Sequence, residues 1–304
     1  MILSIIVVSW NTKDLLKDCL ISIYEQDFPY ESEVWVVDNS SDDDSPLMVE
    51  RFFPQVKLLK NTQNVGFARA NNQAIFKAQG KYILLLNPDT VLREGALIDL
   101  VEYLEKHPKV GAAGSKLLNA DGSLQTSCYP APTLFREFWR MFYLDKIYPI
   151  GVYSVDTWDQ NKPRPVDVLM GASLMVNGNL LRELNGLDES YYIYTEEVDL
   201  CYRIREAGFE IHWVPTSIVT HFGGQSTRQA ASKMFLQLYK SKIQYFRKNY
   251  GGGSAFIYKT ILLLASIFRA LFSPVAMMFF PSRRGEYSTL VRNYSDLILA
   301  LPKM

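Results

Sequence analysis

Residues 82–89 read YILLLNPD, an apolar run that stops abruptly on Asn87, Pro88 and Asp89. A short, nearly all-apolar run closed by turn-forming residues reads as a strand buried on both faces. The same grammar appears earlier in LSIIVVSW (Leu3 to Trp10), VWVVDNS (Val34 to Ser40) and VKLLKN (Val56 to Asn61). Helical stretches separate these strands at Lys13 to Tyr24, Gly66 to Gln79 and in ALIDLVEYLEKH, residues 96–107. Alternating buried strands and helices predict an α/β class fold, with a Rossmann-like, mostly parallel sheet flanked by helices. Ligands of such sheets sit at the carboxyl ends of the strands. Asn11, Asp38, Asn39, Asn87 and Asp89 fall there.

Beyond Lys116 the pattern weakens and aromatics gather up to Pro165, which reads as a mobile segment facing an acceptor. VLMGASLMV (168–176) resumes as a strand, EEVDLCYRIREAG (196–208) as an amphipathic helix ending at glycine, and FEIHWVP (209–215) as a strand. A basic amphipathic helix then runs to the glycines at 251–253, which divide a globular part (1–250) from a hydrophobic helical tail (251–304).

Lys plus Arg and Asp plus Glu number 32 each in 304 residues, so no global field attracts nucleic acid. Cys19, Cys128 and Cys201 form no paired motif, which favours free thiols over disulfides or zinc. The first residues lack a basic flank and a cleavage site, so they read as a strand and not as a signal peptide. No GxGxxG, GxxxxGK[ST] or GxSxG occurs, which removes dinucleotide, P-loop and esterase-like readings.

Lys259, Arg269 and Pro274 interrupt the apolar stretch from Ala255 to Phe280. No uncharged run there reaches the roughly 17–25 residues of a spanning helix. An in-plane or re-entrant amphipathic anchor fits better than a span, with Lys240, Lys242, Arg247 and Lys248 before it and Arg283 and Arg284 after it suited to anionic headgroups. Packing on the globular part or on a second copy in an oligomer is the alternative.

Four sites carry chemistry, each with a plainer reading. Asp38 can accept the imide N–H of uracil or thymine, or simply close an Asx turn. Asp89, with Asn87, suits Mg²⁺, which takes one or two protein carboxylates beside substrate phosphates; Asn-Pro-Asp is also ordinary turn chemistry. Glu196 and Glu197 offer a general base whose partner raises its pKa, or complement a helix dipole. His221, in VTHFGGQS, either packs structurally or reaches a metal or diphosphate beside flexible glycines.

Seven segments in order (SIIVVSWN, VVDNSSDD, NVGFARANN, LLLNPDT, GASLMV, EEVDLCYR and the histidine of VTHFGG) resemble the inverting family 2 glycosyltransferases of GT-A fold, near the rhamnosyltransferase branch. The resemblance covers Leu3 to about Gly251 and makes the globular part a catalytic domain. It implies a nucleotide pocket bordered by Ser9 and Asn11, with Asp38 reading the pyrimidine. Asn64, Gly66, Phe67, Arg69 and Asn71 would flank the nucleotide and its phosphates, with Asn87 beside them. Asp89 would hold Mg²⁺ or Mn²⁺ through the diphosphate with support from His221, and Gly171 and Ala172 would approach the donor sugar. Glu197 takes the place of the catalytic base, with Glu196 able to share the role. The chain departs from the family where Asn87 replaces the first carboxylate of a DxD, where Trp10 stands for a common Tyr, and where Glu197 stands for Asp. The implied donor is a UDP- or dTDP-sugar such as dTDP-rhamnose. The implied acceptor is a saccharide, polyprenyl-diphosphate-linked, at the cytoplasmic face of the membrane in cell-surface polysaccharide assembly. An inactive scaffold is compatible with Asn87. A sugar-phosphate nucleotidyltransferase is not favoured, because no glycine-rich phosphate loop follows the first strand.

Overall fold

The computed structural model describes residues 1–223 and 231–304. Its strands are β1 (Leu3–Ser9), β2 (Ser32–Asp38), β3 (Lys57–Lys60), β4 (Tyr82–Leu86), β5 (Thr90–Leu92), β6 (Val110–Leu118), β7 (Leu124–Gln125), β8 (Cys128–Tyr129), β9 (Arg164–Pro165), β10 (Val168–Leu169), β11 (Ser173–Asn177) and β12 (Glu210–His221). Its helices begin with α1 (Lys13–Tyr24), α2 (Ser45–Phe52), α3 (Phe67–Ile75), α4 (Ala96–Lys106), α5 (Leu134–Met141), α6 (Gly178–Glu183) and α7 (Glu196–Glu206). The helix Ala231–Phe279 is broken at Gly251, whose φ of 87° and ψ of 169° are not helical, into α8 (231–250) and α9 (252–279). α10 (Arg284–Ala300) follows.

The chain forms two compact units, one of Met1–Ala131 with Tyr153–Gln229 and one of Pro132–Val152 with Ala230–Met304. These units do not divide at 250: the basic helix joins the tail, and so does the segment around α5. Contacts of the amphipathic faces, invisible in linear sequence, decide this grouping.

In the first unit the main sheet runs β3-β2-β1-β4-β11-β6-β12-β5. The β3-β2-β1-β4 half is parallel, β11 runs antiparallel between β4 and β6, and β12 runs parallel to β6. Alternate side chains enter two cores. Ile5, Val7 and Val36 pack with α1, α2 and α4, whereas Ile6, Val8 and Val37 pack with α3, α6 and α7. Burial on both faces explains the unbroken apolar strands. All three cysteines are buried free thiols, pushed up to about 12 by that burial.

One central strand escapes propensity reasoning. β6 contains Gly111, Ala112, Ala113 and Gly114, residues that strands ordinarily disfavour. A Cβ on Gly114 would lie 2.7 Å from Leu169 Cδ2, and one on Gly111 2.8 Å from Leu180 Cδ2 and from Phe209 Cβ. Close layer packing demands the small residues. Residues 116–165 accordingly include the end of β6, β7, β8 and α5, which replaces the expected patternless segment.

The second unit contains α5, α8, α9 and α10. By length and composition the helix Lys233–Phe279 could cross a membrane, with a mean hydropathy of 2.0 in its most apolar window. One of its faces is nonetheless committed to protein: Tyr258, Leu262, Ala265 and Arg269, at helical spacing, are buried.

Candidate active site

The carboxyl ends of β1, β2 and β4 bring polar residues to one edge of the first unit's sheet. Ser9 pairs in register with Asp38, and its Oγ lies 3.0 Å from Thr12 Oγ1. Asn11 adopts φ +52° and knits this edge to the next loop, its N–H donating to Ser41 Oγ and its Oδ1 accepting from the Asp42 N–H, each at 2.9 Å. Asp38 Oδ2 accepts the Ser41 N–H at 3.1 Å, which is the Asx-type turn. Its Oδ1 is buried and has no hydrogen-bond partner among the described residues. A buried carboxylate oxygen without a donor is costly, so this atom asks for an N–H from outside the protein.

Asn39, noted only as a strand-end residue, organises the following loop. Its Nδ2 donates to Asn64 Oδ1 at 2.9 Å and to the Gly66 carbonyl at 3.3 Å, and its Oδ1 accepts the Val65 N–H at 3.0 Å. Tyr192 closes the loop from the other side, its hydroxyl donating to Asn64 Oδ1 at 3.1 Å and its carbonyl accepting the Phe67 N–H at 2.7 Å. Gly66 has φ +89°, and a Cβ there would meet that same carbonyl oxygen at 2.6 Å. Only glycine fits. Asn71 is buried, and its amide donates to the Phe67 carbonyl at 2.9 Å inside its own helix. Arg69 points outward within 3.8 Å of Glu189. The structure thus places Asn64 and Gly66 in one loop with Phe67 opening α3 behind it, and gives Asn71 a structural bond.

Asp89 and His221 meet across the sheet because β5 and β12 pair antiparallel, His221 opposite Thr90. Both are buried, with Asp89 Oδ1 3.3 Å from His221 Nε2. Asn87 Nδ2 lies 3.3 Å from the same nitrogen. Gln125, which sequence reasoning passed over, sets the imidazole. Its Nε2 donates to the His221 carbonyl (3.2 Å) and to Asn119 Oδ1 (2.8 Å), so its Oε1 faces His221 Nδ1 at 2.7 Å. Nδ1 is therefore the donor to Gln125, and in the neutral ring Nε2 is left as an acceptor beside the carboxylate. Two acceptors turned toward one another suit a shared divalent cation. No group of three or more His, Cys, Asp or Glu able to hold a metal occurs among the described residues. Mg²⁺ usually takes one or two protein carboxylates with the remainder from phosphates and water, and Asp89 supplies one such carboxylate. Gly223 follows this histidine, while Gly224 lies outside the described residues.

The third cluster stands at the start of α7. Asn87 donates its N–H to the Ala172 carbonyl at 3.0 Å, which brings the Gly171–Ala172 turn beside the metal-type pair. A Cβ on Gly171 would touch Glu197 Cβ at 3.5 Å, so that turn abuts the Glu197 side chain. Tyr194 and Thr195 both hold left-handed backbone, φ +68° and +72°, immediately before Glu196. Non-glycine residues in that region cost roughly 1–3 kcal/mol each and gather at working sites. Asp199 and Arg203 pin the helix: Arg203 Nε donates to Asp199 Oδ2 at 2.7 Å, and its other nitrogens reach the carbonyls of Leu184 and Gly186.

Glu196 and Glu197 are not equivalent. Glu196 is buried, and burial, followed by the charge of Glu197, pushes its carboxyl well above the usual range. Glu197 is partly exposed. Native Glu196 therefore keeps a proton that the unfolded chain gives up near pH 4.5. Its contribution to stability is present below that pH and is lost as pH rises through the folded pKa. Glu196→Gln cannot ionise, so it should be more stable than the parent at alkaline pH and near the parent at acid pH. Melting temperature against pH for the two proteins checks this, and parallel curves would contradict it.

Known proteins resemble this chain in domain, sequence and fold. The family described as Glycosyl transferase family 2 matches residues 4–148. The chain is 26% identical over 233 residues to the N-acetylglucosaminyl-diphospho-decaprenol L-rhamnosyltransferase of Mycobacterium tuberculosis, covering 72% of this chain and 76% of that one. It is 28% identical over 256 residues to rhamnosyltransferase WbbL of Escherichia coli K12, covering 80% and 92% respectively. Its fold matches the mannosyltransferase PcManGT of Pyrobaculum calidifontis, solved with GDP-Man and Mn²⁺, at a TM-score of 0.62 and 21% identity over 99% of this chain and 86% of that one. A Glycosyl transferase family 2 domain at residues 4–148, rhamnosyltransferase relatives and a GT-A fold together identify this chain as a glycosyltransferase.

Proposed function

We propose that the enzyme transfers a sugar from a UDP- or dTDP-sugar, with dTDP-rhamnose the first candidate, to a hydroxyl of a polyprenyl-diphosphate-linked saccharide, with inversion at the anomeric carbon. The first unit is the catalytic domain in this reading, and the second holds the enzyme at the cytoplasmic face of the membrane. The observation that carries the donor class is the partnerless Oδ1 of Asp38, which matches the imide N–H common to uracil and thymine. The rhamnosyl donor and the lipid-linked acceptor draw support from what the named relatives act on.

Asp89 and His221 would hold Mg²⁺ or Mn²⁺, which when bound offsets charge on the departing diphosphate. The loop of Asn64 and Gly66 borders the nucleotide and the Gly171–Ala172 turn borders the sugar. Glu197 takes the proton from the acceptor hydroxyl, and the acceptor oxygen attacks the anomeric carbon from the face opposite the leaving group. The C–O bond to the nucleoside diphosphate breaks as the new glycosidic bond forms. One displacement inverts the centre.

A thermal-shift screen of UDP, dTDP, GDP and CMP, each with Mn²⁺ and with EDTA, tests the donor assignment. Ligand at about a hundred times its dissociation constant stabilises by roughly 2.7 kcal/mol. A metal-dependent shift with UDP or dTDP is expected, and Asp38→Ala should remove it. A shift with GDP alone would overturn the pyrimidine reading.

A further inference from the structure

The chain is neutral overall but its two units are not. Pro132–Val152 with Ala230–Met304 contains fourteen Lys and Arg against four Asp and Glu, which leaves the first unit negative by the same margin. Residues 231–285 hold nine of those cations and no acidic residue.

The same unit carries an aromatic ladder that joins two separate stretches of sequence. Phe138 and Phe142 lie 4.8 Å apart between ring centroids, Phe142 and Phe268 6.2 Å, and Phe268 and Phe272 4.4 Å. Phe138, Phe268 and Phe272 are exposed, as are Ile147 and Met278 of the same unit, at 80% and 76%. The opposite face of α9 is closed. Arg269, the charge in mid-helix, is buried: its guanidinium lies 4.7 Å from the rings of both Tyr143 and Tyr294 and donates to the Met141 carbonyl at 2.6 Å. A helix that spans lipid alone would meet acyl chains all round, and a mid-helix arginine there is expensive. Here the charge is satisfied by protein and only one face is apolar and free.

We infer that this unit enters a single leaflet of an anionic bilayer face-on, with the segment 135–148 inserting beside α9, and that α9 does not cross. The inference rests on the membrane placement proposed above and names its partner and geometry. Apolar rings enter the headgroup–acyl boundary, while Lys259 and Arg284 meet anionic headgroups; Arg283 is already paired with Glu286 at 2.7 Å. A second copy of the chain is disfavoured as the occupant, since two surfaces of this charge repel.

Full-length protein is floated with vesicles of phosphatidylglycerol and phosphatidylcholine, or of phosphatidylcholine alone. Binding to the anionic vesicles should be at least about tenfold stronger and should weaken in high salt. The double variant Phe138→Ser with Phe272→Ser should lose at least about tenfold in binding while keeping its UDP or dTDP thermal shift. Leu47→Ser, at an exposed apolar site of the first unit, should bind as the parent does. Unchanged binding of the double variant, or a change in its oligomeric state in place of a change in binding, overturns the inference. Topology gives a second readout, because the native cysteines are buried. Thiols introduced as Ser254→Cys and Ser288→Cys should both react with an impermeant maleimide from the same side of sealed vesicles. Reaction from opposite sides would mean a span. Since the nucleotide shift is read separately, loss of the donor assignment would not be mistaken for loss of this one.

Discussion

Glu197→Gln is expected to lower turnover by roughly 10²–10⁴-fold, the usual worth of a positioned general base. The amide preserves size and hydrogen bonding but cannot accept a proton from the acceptor. Nucleotide affinity should stay within a few-fold, because Glu197 stands at the Gly171 turn and not in the loop of Asn39, Asn64 and Gly66. Glu196→Gln should be far milder, since Glu196 is buried and already holds its proton above the usual carboxyl range. Steady-state rates with donor, metal and acceptor, beside donor binding by thermal shift, separate the two carboxylates. A near-normal rate for Glu197→Gln with a collapsed rate for Glu196→Gln would exchange their roles.

Asp89→Ala should abolish the metal-dependent part of donor binding. Altering outer partners alone costs metal sites roughly 10–100-fold in affinity, and removing a ligand should cost at least that. With Asp89 gone, His221 would be the one remaining member of the pair, its ring still set by Gln125. Binding of UDP or dTDP with Mn²⁺ should then fall to the level seen with EDTA. Isothermal titration in both buffers measures this directly. A variant that kept the full difference between Mn²⁺ and EDTA would remove Asp89 from the metal role.

Several residues of the proposed site were legible in sequence because local chemistry exposes them. A carboxylate at the end of an unbroken apolar run stands out at Asp38 and Asp89, and paired glutamates at a helix start stand out at Glu196 and Glu197. The helix Lys13–Tyr24 and the break at Gly251 followed from periodicity and glycine. Asn39 was visible as a polar strand end, but its bonds to residues 61–66 were not. Gln125 gave no signal, because its neighbours Leu124 and Thr126 mark no site and its partner lies 96 positions away.

Sequence by itself determined what repeats along the chain: the buried strands, the helices between them, the order of motifs and hence the family resemblance. Those features follow from side-chain periodicity and turn chemistry, which act within a few residues of each other. Tertiary structure alone decided which of two adjacent glutamates is buried with its carboxyl pushed above the usual range, which way the His221 ring faces, and that Arg269 turns into protein and not toward lipid. It also decided that the segment around α5 joins the tail, leaving a basic unit with one free aromatic face. The physical reason is common to all four. Burial and pairing depend on which groups meet at close range, and here those groups come from distant parts of the chain.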